Sequence, residues 1–445
     1  MSNSIRTMVR IVFLYACVEG LIINIMYPAM VAFILKDFLI LLLYLAILTE
    51  SRGGSGSLSK LSTPMVVFGV LTLFYVLRPT PVNMIAEGIA VKQRLFYIPL
   101  MYAGYHFMRD ENDLIGLLKF MAWTAIPVSV FGIYLFFQGP SALVAMGAKY
   151  STVIMAGDVQ SSLWRVPGTF TSPGQYGVYL LVHAVLFLGV LYTPTVPRAQ
   201  RLLTIVSLVT IVLALMVCGS RTPILGALVC GGALLVATGR IGGVGKWAVA
   251  INAFLAMAYS FFGEGVRERM DSIGSWEHVQ RFHDTYFGQL FVTTFNEAPM
   301  GHGLGIATMG ARHFTDFNKM IFTESYLGII AIEMGVFGLI AFLWISVTIG
   351  IFLSTRWRRM RASPLRGIWY SAALLLVWVM LGSPVGTSLD AAPTNLYFWF
   401  FIGLAARIYD LEQTRLARVQ AQAVQAPPQA LPFEGLAGVA GGHAW

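Results

Sequence analysis

Arg221 stands in the short polar link Cys218-Gly219-Ser220-Arg221-Thr222-Pro223, between two apolar stretches. Counting apolar spans from the N-terminus places that link on the outer side, against the usual bias that keeps lysine and arginine inside. An arginine at the edge of the hydrocarbon is costly and tends to be kept for a reason. Its planar fork donates two hydrogen bonds to one phosphate and stays charged at all physiological pH values. Arg165, in the turn Arg165-Val166-Pro167-Gly168, and Arg281 fall on the same side. Arginines converging at a membrane surface read as a clamp for a lipid phosphate or pyrophosphate. The competing reading is snorkelling, or bonding of helix-end carbonyls.

The same face offers groups that could orient or deprotonate a hydroxyl. Glu324, in Thr323-Glu324-Ser325-Tyr326-Leu327, starts an apolar run, where it is either a helix cap complementing the dipole or a general base. His313 is a reserve base, and His302 sits in Gly301-His302-Gly303-Leu304-Gly305. That glycine pattern lacks the preceding strand a nucleotide loop needs, so its glycines point to a tight re-entry into the membrane or a close backbone approach to a ligand. Glu333, deeper in the same apolar run, is a functional candidate or the partner of an arginine on a neighbouring helix. His183, alone in an apolar span, reads as a satisfied core residue.

These residues need a scaffold, and composition defines its class. The 445-residue chain is 57% hydrophobic and 11% charged, with a net charge of +9. With a mean hydropathy of +0.72, this is an all-α polytopic membrane protein, and the basic balance follows from topology without calling for nucleic acid. Cys17, Cys218 and Cys230 lie in or beside apolar spans at no metal or redox spacing. Since a crossing helix needs about 20 apolar residues, the sequence predicts about 12 spans, near 9–28, 30–49, 63–79, 88–107, 114–137, 175–193, 201–218, 222–239, 245–262, 322–353, 366–383 and 393–409. With the N-terminus inside, 17 of the 30 lysines and arginines fall in cytoplasmic links and nine in outer ones. The strongest inner group is Arg356, Arg358, Arg359, Arg361 and Arg366, and both termini are expected in the cytoplasm. Two outer loops are long, at about 138–174 and 263–321. The second lies between the ninth and tenth spans and carries an amphipathic helix expected over Trp276–Phe295. Residues 1–410 form the membrane domain, and 411–445, rich in Ala, Gln, Pro and Gly, are expected to be a disordered cytoplasmic tail.

Taken in order, the motifs resemble a known family. They are Arg165…Gly168-Thr169-Phe170…Pro173, then Ser220-Arg221 opening a helix, then a long outer loop with Arg281 that ends in Pro299-Met300-Gly301-His302-Gly303-Leu304-Gly305, then Glu324-Ser325-Tyr326-Leu327…Glu333-Met334-Gly335-Val336-Phe337-Gly338. Over residues 60–410 this resembles the O-antigen ligase/polymerase superfamily, the Wzy-like bacterial polysaccharide polymerases and their ligase relatives. The resemblance implies a glycosyltransferase at the periplasmic face of the bacterial inner membrane. It would join undecaprenyl-diphosphate-linked oligosaccharide units for exopolysaccharide, capsule or O-antigen, with no nucleotide sugar, cofactor or essential metal. Chain-length regulator and export proteins of the same pathway would be partners. On that reading Arg165, Arg221 and Arg281 hold the diphosphate, Glu324 or His313 serves the acceptor hydroxyl, and His302, Tyr326 and Trp164 contact sugar. Ligase members place a histidine and an asparagine where this chain has Thr323 and Glu324, which favours polymerase over ligase. A lipid-linked oligosaccharide flippase is the competing class. It would place polar residues and broken helices at mid-membrane depth.

Overall fold

The computed structural model describes residues 4–26, 30–50, 56–148, 164–239, 280 and 292–425. The described residues are helical, with no strand. The helices are α1 (Ser4–Ile25), α2 (Met30–Glu50), α3 (Ser59–Tyr75), α4 (Met84–Val91), α5 (Leu100–Phe107), α6 (Glu111–Gln138), the short α7 (Ser141–Ala145), α8 (Pro173–Leu191), α9 (Arg198–Val217), α10 (Arg221–Ala237), α11 (Tyr326–Trp357), α12 (Arg366–Gly382) and α13 (Thr394–Gln425). Six helices are long and apolar enough to cross a membrane: those at Ser4–Ile25, Gly56–Val76, Glu111–Gln138, Pro173–Leu191, Arg198–Val217 and Tyr326–Trp357. Two shorter apolar helices, Arg221–Ala237 and Arg366–Gly382, accompany them. The span expected at 245–262 lies outside the described residues. So does most of the helix expected over Trp276–Phe295, of which only Gln280 and the π-helical turn Val292–Glu297 are described.

Close approach between helices depends on small residues, as it must where lipid competes with side chains for apolar contact. A Cβ on Gly104 of α5 would collide with the Phe400 carbonyl of α13, and one on Gly403 with that of Met101. Gly189 of α8 and Gly367 of α12 cross in the same way. The Trp369 indole donates to the Ala405 carbonyl at 3.0 Å and Arg407 Nε to that of Met108 at 2.8 Å. These bonds fix α13 against α12 and α5. His183 is buried, with Nδ1 2.8 Å from the Tyr179 carbonyl, in keeping with a core role.

Three elements depart from the sequence expectation. The fourth span is not one helix: α4 ends at Val91, a π-helical turn runs from Lys92 to Phe96, and α5 starts at Leu100. Pro99 has no amide hydrogen and its ring clashes with the carbonyl four residues back, so the helix must open there. The Leu95 carbonyl four residues back accepts instead from Ile98 N at 3.3 Å, and the Tyr44 hydroxyl donates to the Phe96 carbonyl. The tenth span is also interrupted, because Gly335 in α11 adopts φ 61° and ψ −151°. The third departure is at the C-terminus, where α13 runs to Gln425 although composition predicts a disordered tail from residue 411. Residues 411–425 contain no glycine or proline and are mostly strong helix formers; composition alone hides that.

Gly403→Leu is expected to cost at least about 1–3 kcal/mol through overpacking. It should replace the monodisperse detergent-solubilised species with aggregate in size-exclusion chromatography, whereas Gly350→Leu, with open space around it, should leave the profile unchanged.

Candidate functional site

The structure brings two arginines together. Pro167 to Phe170 form a turn closed by the Phe170 amide on the Pro167 carbonyl at 3.0 Å. Ser172 then caps α8, its hydroxyl accepting from Gln175 N at 3.3 Å, with Pro173 in the first turn. This turn delivers Arg165 to the link before α10, where its side chain lies against Gly219. Gly219 takes φ 65°, and a Cβ there would come within 2.9 Å of Arg165 Cγ. Arg221 is the first residue of α10, and the positive charge of Arg165 acts on it. Burial and then the charge of Arg165 both disfavour the charged form of Arg221, and an anion bound beside it would oppose both.

A second cluster surrounds Glu333. Glu333 and Arg94 are fully buried and form an ion pair, with Arg94 Nη2 donating to Glu333 Oε2. The other carboxylate oxygen accepts from Ala307 N at 3.0 Å, Thr308 N at 2.8 Å and Thr308 Oγ1 at 2.9 Å. The segment 299–309 is thereby strapped across the break in α11. His302 N donates to the Ile332 carbonyl at 2.7 Å, Gly303 N to that of Glu333 at 3.1 Å, and Val336 N to that of Pro299 at 2.9 Å. A membrane helix can break only where its freed backbone groups find new partners, and the strap supplies them. It needs glycine, because Gly301 has φ 71° and a Cβ there would fall 2.5 Å from the Glu333 carbonyl oxygen. The glycine-rich run therefore serves close packing of backbone on backbone.

Beyond the strap, Met309 N donates to Asp390 Oδ2 at 2.8 Å. Asp390 is buried in the turn between α12 and α13. Burial pushes its carboxyl up to about 7, against the opposing pull of Arg94, the Met309 amide and Arg312. Arg312 stacks on the Phe322 ring at 4.4 Å. Burial lowers its guanidinium's affinity for a proton, while Asp390 and the exposed Glu324 raise it. Glu324, Arg312, Asp390, Arg94 and Glu333 thus form a run of alternating charge from the surface inward. Helix α8, which the Arg165 turn leads into, packs against both α10 and the Asp390 turn.

Several expected site residues take other places. Tyr326 is no sugar platform, because it is buried with its ring edge-on to Phe342 at 5.2 Å. Trp164 packs half-buried against Leu135, Leu143 and Val166. The half-buried His302 ring has Nδ1 3.4 Å from the Ile332 carbonyl. His313 ends the 3-10 turn Met309–His313, and Arg281 lies outside the described residues. No group of metal-ligating side chains occurs among the described residues.

Sequence reasoning passes over Arg94 and Asp390. Of the 30 lysines and arginines, four belong to neither the inner nor the outer links: Lys36, Lys92, Arg94 and Lys119. Three of these form ion pairs with acids. Lys36 meets Glu19 at 2.7 Å, Lys92 meets Asp37 at 2.9 Å, and Arg94 meets Glu333. A cation left inside a span is the signal that could have found them. Comparison of the chain with models of known protein families and with curated proteins gives no match in either case.

Two outcomes are expected. Arg94→Met leaves Glu333 charged and unpaired in the interior, which should cost about 3–5 kcal/mol and show as a large fall in Tm. The Asp390 carboxyl binds its proton more tightly when folded than its ordinary value of 3.8 allows. Folding therefore takes up a proton between about pH 4 and pH 7, and the Asp390 contribution to stability falls as pH rises across that window. Asp390→Asn should flatten this part of the Tm–pH curve; an unchanged slope would refute the assignment.

Proposed function

We propose that the chain is a polysaccharide polymerase of the bacterial inner membrane. It has about twelve spans, both termini in the cytoplasm, and a large periplasmic loop between the ninth and tenth spans. It joins undecaprenyl-diphosphate-linked oligosaccharide units at the periplasmic face. The observation that carries the reading is the pairing of Arg165 and Arg221. The two come from separate elements, Arg165 from the segment before the turn that leads into α8 and Arg221 from the first residue of α10.

In this mechanism Arg165 and Arg221, with Arg281 as a third, bind the diphosphate. An acceptor sugar hydroxyl attacks the anomeric carbon of the donor while the bond from that carbon to the phosphate oxygen breaks. The electron pair leaves with undecaprenyl diphosphate, and the configuration inverts. The arginines stabilise the charge that grows on the leaving group, and such electrostatic stabilisation usually lowers the barrier more than any other single effect. The hydroxyl proton goes to Glu324, which the structure leaves exposed beside Arg312, or to His313.

A second reading, a lipid-linked oligosaccharide flippase, draws on the two interrupted helices and the buried ion pair where they meet. Broken helices around polar groups at membrane depth are a transporter feature. The two readings separate in detergent, where purified lipid-linked units can be polymerised by an enzyme but a flippase has no compartment to cross.

Arg221→Ala is expected to lower the polymerisation rate by about 10²–10³ at unchanged protein level, read as collapse of the polymer ladder in cells. Wild-type chain lengths in that variant would refute the diphosphate clamp.

A further inference from the structure

The opposite end of α11 carries a different surface. Arg356, Arg358, Arg359, Arg361 and Arg366 fall between the end of α11 and the start of α12, five cations within eleven residues. Arg358, Arg359 and Arg361 are exposed. Among the described residues, no carboxylate lies within ion-pair reach of Arg358, Arg359, Arg361 or Arg366. The acids nearest this end of α13 are already bonded, and of these Asp410 acts on Arg356. Asp410 accepts from the Tyr105 hydroxyl at 2.8 Å and from Ser57 N at 3.0 Å, and Glu412 accepts from the Ser363 hydroxyl at 3.1 Å.

The cations are also held in place. The Arg356 guanidinium lies over the Phe352 ring at 3.8 Å and the Tyr409 ring at 4.9 Å, and its Nη1 donates to the Phe352 carbonyl at 3.1 Å. Arg359 Nη1 donates to the Tyr409 hydroxyl at 2.7 Å. Trp357 and Tyr370 stack with their centroids 4.4 Å apart. Trp357 is half-buried and Tyr370 buried, so this stack stiffens the corner from within. On the same helix, one and two turns before the cluster, Ile351 and Val347 are 58% and 57% exposed, as residues facing acyl chains would be.

From this we infer that the α11–α12 corner is a binding site for anionic phospholipid headgroups. The exposed arginines take the phosphate, and the bare face of α11 takes the chains. Fixed arginines lose little freedom on binding, and each basic residue near a charged leaflet contributes about 1 kcal/mol. The inference requires only that these helices sit in a membrane; it is independent of the outer-face chemistry.

The test uses the full chain, purified in neutral detergent and titrated with phosphatidylglycerol, with phosphatidylcholine as the reference lipid. Binding is read by native mass spectrometry and by the shift in Tm. Arg358→Gln/Arg361→Gln should bind phosphatidylglycerol about thirty-fold more weakly while keeping the wild-type Tm in phosphatidylcholine. Equal affinity in the variant would overturn the proposal, as would inorganic phosphate alone reproducing the stabilisation. Should the variant fail to fold, raising salt on the wild-type protein decides. The phosphatidylglycerol shift should shrink as charge is screened, and a salt-independent shift would overturn the site.

Discussion

A fully buried carboxylate must find every partner within the protein, and Glu333 does so with one oxygen on Arg94 and the other on three donors from the strap. Each neighbouring irregularity depends on this arrangement. The break in α11 at Gly335 is tolerated because the strap returns hydrogen bonds to Ile332, Glu333 and Val336. The strap stays in place because Glu333 holds the amides of Ala307 and Thr308. Arg94 is tolerated in the interior because Glu333 neutralises it, and the π-helical turn that Pro99 ends puts it within reach. A change to one member therefore reaches all four: two interrupted helices, a glycine-rich strap and the Asp390 turn tied to Met309.

The surface groups inherit their positions from this core. Arg312 and His313 follow directly from the strap, Glu324 immediately precedes the start of α11, and Asp390 is bonded to the strap's last residue. The Arg165–Arg221 pair has a separate foundation in the turn before α8 and the link before α10, with α8 common to both regions. The two clusters of charge thus stand on different supports, so damage to one need not abolish the other.

Much of this is legible in the chain. Apolar run lengths give the class and most helix positions, and the odd placement of Arg221 points to its link without any geometry. The glycine run at 301–305 reads as membrane re-entry or a close approach to a ligand, whereas the close approach in the structure is to the backbone of α11; Glu333 reads as a functional group or the partner of an arginine on a neighbouring helix, and it pairs with Arg94. What stays hidden has physical causes. Arg94 and Glu333 are 239 residues apart, and no local pattern encodes a contact of that range. Tyr326 occupies a plausible sugar-facing position by sequence, yet one residue past the surface the helix turns it inward against Phe342. Pro99 announces a break in the fourth span, but hydropathy averaged over the window conceals it. The extension of α13 is legible from helix propensity and missed by composition.

The distance along the chain between Arg94 and Glu333 also bears on how the protein is made. Ribosomes add about 5–20 residues per second, so α4 and its arginine emerge roughly 10–50 s before the glutamate that neutralises the charge. For that interval the half-built protein carries a cation which insertion into bilayer penalises by about 2.5–3.5 kcal/mol. Until α11 arrives Arg94 lacks that partner, whereas Lys92 on the same turn already has an earlier acid in Asp37. The segment that carries Arg94 is a short helix, a turn and a short helix, so its two halves need not be seated at the same time.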